Sequence, residues 1–164
     1  MTPTIARTWA PRGKTPILRH WQRHDRISVI SGIAVSPERR RFGLYYQWYH
    51  HNIREVEVVA FLRDLLRHLR KPLIVIWDHL RVHRSKAVAT LCRRVPRLHL
   101  EYLPAYAPEL NPDEGVWRRT KKRLANACPE DRFDLALQVI EELEACRLSP
   151  SQLRSCIEHT GLTL

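Results

Sequence analysis

Two acidic residues stand where the sequence could do chemistry. Asp78 follows directly on the apolar run Leu73-Ile-Val-Ile-Trp77, and Glu114 closes the stretch Leu103-Pro-Ala-Tyr-Ala-Pro-Glu-Leu-Asn-Pro-Asp-Glu114. The first reads as the carboxyl end of a buried strand, the edge of an open α/β sheet where ligands collect. The second reads as the first turn of a helix whose direction is fixed by a proline-rich turn. Two carboxylates held this way suit Mg²⁺ or Mn²⁺, hard cations that take oxygen ligands. Such ions, in pairs, serve in-line phosphoryl transfer. Plainer readings stand beside this one. Asp78 can simply cap the turn after its strand. Glu114 can be a helix-dipole acid paired with Arg118 one turn on. Asp113 competes for the role of Glu114, one residue away and about 100° around the helix. His83 can orient a carboxylate or a phosphate, or hydrogen-bond the turn, and Asn111 joins it as a supporting residue of the motif.

Downstream of Glu114 comes Arg118-Arg119-Thr-Lys121-Lys122-Arg123, five cations in six residues. Glu114, Arg118 and Lys121 share a side of the helix, so a basic stripe leads away from the acid toward phosphates it can grip. The alternative is a solvated face, with Trp117 and Leu124 turned to the core. His50, His51 and His99 lack paired metal-ligand spacing and read as surface or strand residues. Trp9, Trp21 and Trp48 read as packing residues that could also stack on bases.

The elements that must position these groups follow from periodicity. Ile27–Val35 is β-branched and uncharged, Pro37–Arg41 is a polar turn, and Phe42–Tyr49 is aromatic-rich, which together predict an antiparallel hairpin. Val58, Leu62, Leu65 and Leu69 predict a helix over Glu55–Arg70, stopped by Pro72. Leu73–Trp77 is the next strand. Then comes a helix capped by Ser85 with Val88, Leu91, Cys92 and Val95 on one face, and a strand over Leu98–Leu103. Three helices finish the chain, starting at Pro112, Pro129 and Ser149-Pro150, and Gly161 ends the last. The order β-β-α-β-α-β-α-α-α, without repeats, predicts one α/β domain with a mixed sheet over 1–164. Residues 1–24 hold five Arg or Lys and no acid and read as a basic connector.

Composition sets the frame. The 164 residues carry 28 Lys plus Arg against 17 Asp plus Glu, a net charge of +11 and a pI near 10.2, which calls for a polyanionic partner. No apolar run exceeds five residues, so no transmembrane helix is expected. The 4 cysteines form no CxxC pair and read as reduced thiols. A cytoplasmic protein facing nucleic acid is expected.

These motifs resemble a known family. Ile76-Trp-Asp78, His83 five residues further on, and Leu103-Pro-Ala-Tyr-Ala-Pro-Glu-Leu-Asn-Pro-Asp-Glu114-Gly-Val-Trp117 resemble the catalytic core of bacterial insertion-sequence transposases of the mariner superfamily. Those are DDE endonucleases of RNase H-like fold. Arg7-Thr-Trp-Ala-Pro-Arg-Gly13 and Asp25-Arg-Ile-Ser-Val-Ile30 are also similar. The resemblance implies that Asp78 and Glu114, 36 residues apart, are the second and third catalytic acids and hold Mg²⁺ or Mn²⁺. His83 matches a histidine common there, whereas His79 stands where many relatives have Asn. The implied reaction is metal-dependent cleavage of transposon ends followed by strand transfer into target DNA. The implied partners are double-stranded DNA and a second copy in a homodimer, and the implied setting is the nucleoid. One departure stands out. The family's first catalytic Asp lies on a central strand preceding the segment like Arg7–Gly13, and no acid precedes Asp25 here. The expectation is an RNase H-like sheet lacking its first strand, with two unpaired strand edges, inactive alone. The alternatives are a non-catalytic DNA-binding or regulatory protein derived from a transposase, and an RNase H-like nuclease acting on RNA-containing duplexes.

Overall fold

The structure is a computed structural model and describes residues 10–14, 26–127 and 129–162. Of the connector, only residues 10–14 are described, and they form a turn closed by Lys14 N–H donating to Pro11 O, with Gly13 at φ 83°. Trp9, Trp21 and Asp25 lie outside the described residues.

Strands β1 (Ser28–Val35) and β2 (Phe42–Tyr49) form the expected antiparallel hairpin, in register from Ser28 opposite Tyr49 to Val35 opposite Phe42. Its turn is tied by Ser36, whose hydroxyl oxygen accepts from the Arg40 and Arg41 N–H groups. Strands β3 (Leu73–Trp77) and β4 (Leu98–Tyr102) pair in parallel around helix α2 (Lys86–Arg94). The Ser85 hydroxyl caps α2 by accepting from Val88 N–H, as its position predicts. Helix α1 (Glu55–His68) precedes β3.

The mixed α/β character expected from the sequence is present, but the strands are hydrogen-bonded as two separate pairs, one antiparallel and one parallel. Among the described residues, β1 pairs only with β2 and β3 only with β4. One hydrophobic cluster nevertheless bridges the pairs. Val58, Phe61, Leu62, Leu65 and Leu66 of α1 pack with Trp77, Val88, Leu91 and Leu98, and Ile30 and Tyr45 of the hairpin join them. Burial of this kind supplies most of what holds such layers together.

The opposite face of the hairpin carries a second cluster. Ile27, Val29, Ile33, Leu44, Phe42, Tyr46 and Trp48 alternate onto it, the period of two that a strand imposes. They meet three helices, α3 (Pro112–Arg123), α4 (Arg132–Arg147) and α5 (Pro150–Glu158). Trp48 is thus a packing residue. Helix α4 begins at Arg132 rather than Pro129, because the Asp131 carboxylate caps it by accepting from Phe133 and Asp134 N–H. No described helix is long and apolar enough to cross a membrane.

Candidate active site

The strand β3 ends on Asp78, and the turn that follows holds its carboxylate from two sides. Asp78 Oδ1 accepts from Leu80 N–H at 3.1 Å and lies 2.7 Å from His83 Nδ1. The His83 ring stacks on Trp77, parallel and with centroids 4.3 Å apart, and His79 stacks on Tyr102 at 5.2 Å. Tyr102 ends β4, so both strands of the parallel pair brace the turn. The His83 side chain is mostly covered while Asp78 remains half exposed. His83 Nδ1 also lies 3.4 Å from the Asp78 backbone oxygen, so the ring meets both the carboxylate and the turn, and Asp78 keeps a face toward solvent.

Glu114 is placed by a chain of local devices. Pro108–Leu110 forms a short 3₁₀ turn, and Asn111 caps α3, its side-chain oxygen accepting from Asp113 N–H at 3.1 Å. Pro112 fills the first helical position, where a missing N–H costs nothing. Asn111 is thus a positioning cap.

Packing gives the two neighbouring acids different surroundings. Asp113 turns inward, its Oδ2 accepting from Ser31 Oγ at 2.6 Å and from Trp117 Nε1 at 2.9 Å. Burial, with the nearby Glu114 charge adding to it, pushes the Asp113 carboxyl above the usual range, against the opposing pull of the two hydrogen bonds. Its Oδ1 is sealed from solvent with no hydrogen-bond partner. Glu114 is exposed. The Ser31 link spans 82 residues of sequence, and no local pattern announces it.

Beyond Glu114, Arg118, Arg119, Lys121, Lys122 and Arg123 are all exposed on α3. Arg118 Nη1 lies 3.4 Å from His159 Nε2, and Arg123 Nε 3.8 Å from Glu142. Leu124 is buried and Trp117 packs against the same cluster, so the apolar side of α3 is core and the basic side faces water. A cleft of about 360 Å³ runs where Ile27–Val29 at the start of β1 meet Trp117 and Lys121 of α3. His51 sits by Asn52 and Glu57, and His99 is an exposed strand residue, as their spacing suggested. Cys92, Cys146 and Cys156 are free thiols, each raised above the usual thiol range by burial.

The donor chemistry of Asp78 and Glu114, two carboxylates with solvent-facing oxygens, fits a hard divalent cation. Among the described residues no three His, Cys, Asp or Glu side chains gather into a metal-binding group.

Comparison with known proteins places the fold and the family. No curated protein matches the chain. Among solved structures it is similar to the Mos1 mariner paired-end complex with Mn, at 14% identity and TM-score 0.58, covering 98% of this chain and 52% of that one. It is likewise similar to the Mos1 strand transfer complex, at 16% identity and TM-score 0.55, over 99% and 51%. The Mos1 paired-end complex with the left transposon end matches at 16% identity and TM-score 0.55, over 97% and 51%. This chain therefore spans about half the length of those it resembles, and the likeness establishes a mixed α/β, RNase H-like fold. The sequence family described as DDE superfamily endonuclease matches residues 1–136, a stretch that contains both Asp78 and Glu114. The chain belongs to the DDE superfamily of endonucleases.

Proposed function

We propose that this chain is the catalytic domain of an insertion-sequence transposase, cleaving DNA and transferring strands with divalent metal. The observation that carries the reading is the family match across residues 1–136, because it spans the strand-end Asp78, the helix-start Glu114 and the turn between them. Asp78 and Glu114 would hold Mg²⁺ or Mn²⁺, and the bound metal would activate the attacking oxygen and stabilise the leaving one. Arg118, Arg119, Lys121, Lys122 and Arg123 would grip the phosphates of double-stranded DNA, with His83 and Asn111 holding the two acids in place. Transposon-end DNA as partner, a homodimeric assembly and a bacterial nucleoid setting belong to this reading.

The first acid of the site is not among the described residues. The reading places it on a strand seated between β1 and β3, where each has one edge without a described partner strand.

A second reading has its own support. The lack of any three-ligand group among the described residues, beside an exposed basic face on α3, favours a DNA-binding protein whose acids no longer work. One experiment separates the two. Mn²⁺-dependent nicking and binding of duplex DNA are measured for the chain and for Asp78→Ala and Glu114→Ala. The first reading expects nicking that needs both acids. Undiminished nicking in the alanine variants overturns it, and binding without any nicking supports the second.

A further inference from the structure

Three consecutive residues at the start of α3 face three different surroundings, as steps of about 100° around a helix require. Asp113 faces the hairpin, Gly115 faces α5, and Glu114 between them faces solvent. Each flanking contact is specific. Asp113 Oδ2 takes hydrogen bonds from Ser31 Oγ in the middle of β1 and from Trp117 Nε1 one turn further along α3. Gly115 lies so close to α5 that a Cβ there would meet Cys156 Sγ at 3.0 Å, Cys156 Cβ at 3.1 Å and Cys156 Cα at 3.5 Å.

We infer that Asp113 is the positioning residue for Glu114: its anchor to Ser31 and the close Gly115–Cys156 contact together fix the rotation of α3 about its axis. Turning the helix one way draws Asp113 off Ser31. Turning it the other way swings a neighbouring side chain toward Cys156, where the close contact leaves room only for a glycine. The cap from Asn111 fixes where the helix starts but leaves its rotation open, since it acts on the backbone N–H of Asp113. Ser31 faces the same way as Val29 and Ile33, toward the helices, so the strand's alternation already aims the hydroxyl at Asp113. The value of this placement for metal chemistry rests on Glu114 being a ligand, as proposed above. The placement itself does not.

The test uses the full chain with Asp113→Ala, Asp113→Asn and Ser31→Ala. An Asn side-chain oxygen can still accept from both Ser31 and Trp117, so it is the conservative variant. The first readout is the iodoacetamide labelling rate of Cys156, resolved by peptide mass mapping, with Cys92 on α2 as internal control. Asp113→Ala and Ser31→Ala should label Cys156 about fivefold faster or more with Cys92 unchanged, and Asp113→Asn should stay within about twofold of the parent. An unchanged Cys156 rate in Asp113→Ala, or equal acceleration of both thiols, overturns the inference. The second readout is Mn²⁺-dependent nicking. Asp113→Ala should lower kcat about tenfold or more at unchanged KM for DNA, with Asp113→Asn restoring most of it. Glu114-dependent nicking that survives Asp113→Ala also overturns the inference. A responsive Cys156 in a chain that nicks no DNA instead leaves the positioning intact and counts against the nuclease reading.

Discussion

His83 Nδ1 lies 2.7 Å from Asp78 Oδ1 while its ring lies flat on Trp77, so the ring that meets the carboxylate is itself held in place. A carboxylate that swings freely loses its aim, and groups that orient a metal ligand contribute about 10–100-fold to affinity or activity. His83→Ala should therefore reduce Mn²⁺-dependent nicking by about that factor and leave DNA binding within about twofold. The check is a pair of measurements on one preparation, nicking rate and DNA affinity. Parallel loss of both would show that His83 supports the fold instead.

The basic face of α3 makes a quantitative claim about salt. Every phosphate of duplex DNA that a protein ceases to neutralise flattens the slope of log K against log salt by about 0.9. Arg118→Ala, Lys121→Ala and Lys122→Ala combined should reduce the slope by roughly 2 to 3 and weaken binding most at low salt. Affinity titrations from about 50 to 200 mM salt decide it, and an unchanged slope would move the DNA-gripping surface off this helix.

Tyr46 and Glu144 link the hairpin to α4, the Tyr46 hydroxyl donating to Glu144 Oε1. Burial first, then the hydrogen bond and the negative charge of Glu144, push the Tyr46 phenol from its ordinary 10.0 up to about 12. A group with a raised folded pKa stabilises fully below its unfolded value and loses that contribution as pH climbs through the folded one. The fold should thus weaken between about pH 10 and about 12. Glu144 runs the other way. The same hydrogen bond, then Arg147, holds its carboxyl below the usual range, so its contribution fades as acid protonates it. Tyr46→Phe should cost about 1 kcal/mol at neutral pH and lessen the alkaline loss, to which Tyr49, also raised by burial, still contributes. Melting temperature against pH for both proteins tests the sign.

Arg97 forms a different kind of joint. Its Nη1 donates to Leu69 O at 2.6 Å and Lys71 O at 3.0 Å, and its Nη2 donates to Leu66 O. The guanidinium thereby satisfies carbonyls at the end of α1, where a helix leaves them without partners and where positive charge is favoured. Arg97→Ala should destabilise the chain by about 2 kcal/mol, and Arg97→Lys should recover less than half, because an ammonium lacks the planar fork. Chemical denaturation of the three proteins gives the answer directly.

Much of this organisation is legible in the sequence because its causes are local. The apolar run before Asp78, the serine at position 85 and the proline after Asn111 each act within a turn or two. Strand β3 and the starts of α2, α3 and α5 lie where those signals put them. The start of α4 at Arg132 escaped because Pro129 resembles a helix opening, whereas the capping carboxylate of Asp131 marks the true one. That Asp113 turns inward could not be read from spacing, since its partner, Ser31, is 82 residues away. That the strands form two pairs is likewise a matter of edges meeting in space, and periodicity says only which residues face inward.

Those two pairs have a consequence for the candidate site. Asp78 ends a strand of the parallel pair, while Glu114 rides on a helix anchored to the hairpin. α1 lies against both pairs and carries neither acid, yet its apolar side is a common footing for the two. Val58, Leu62 and Leu65 therefore bear on both supports at once. Trimming one of those side chains would loosen the footing of both acids from a helix that holds neither.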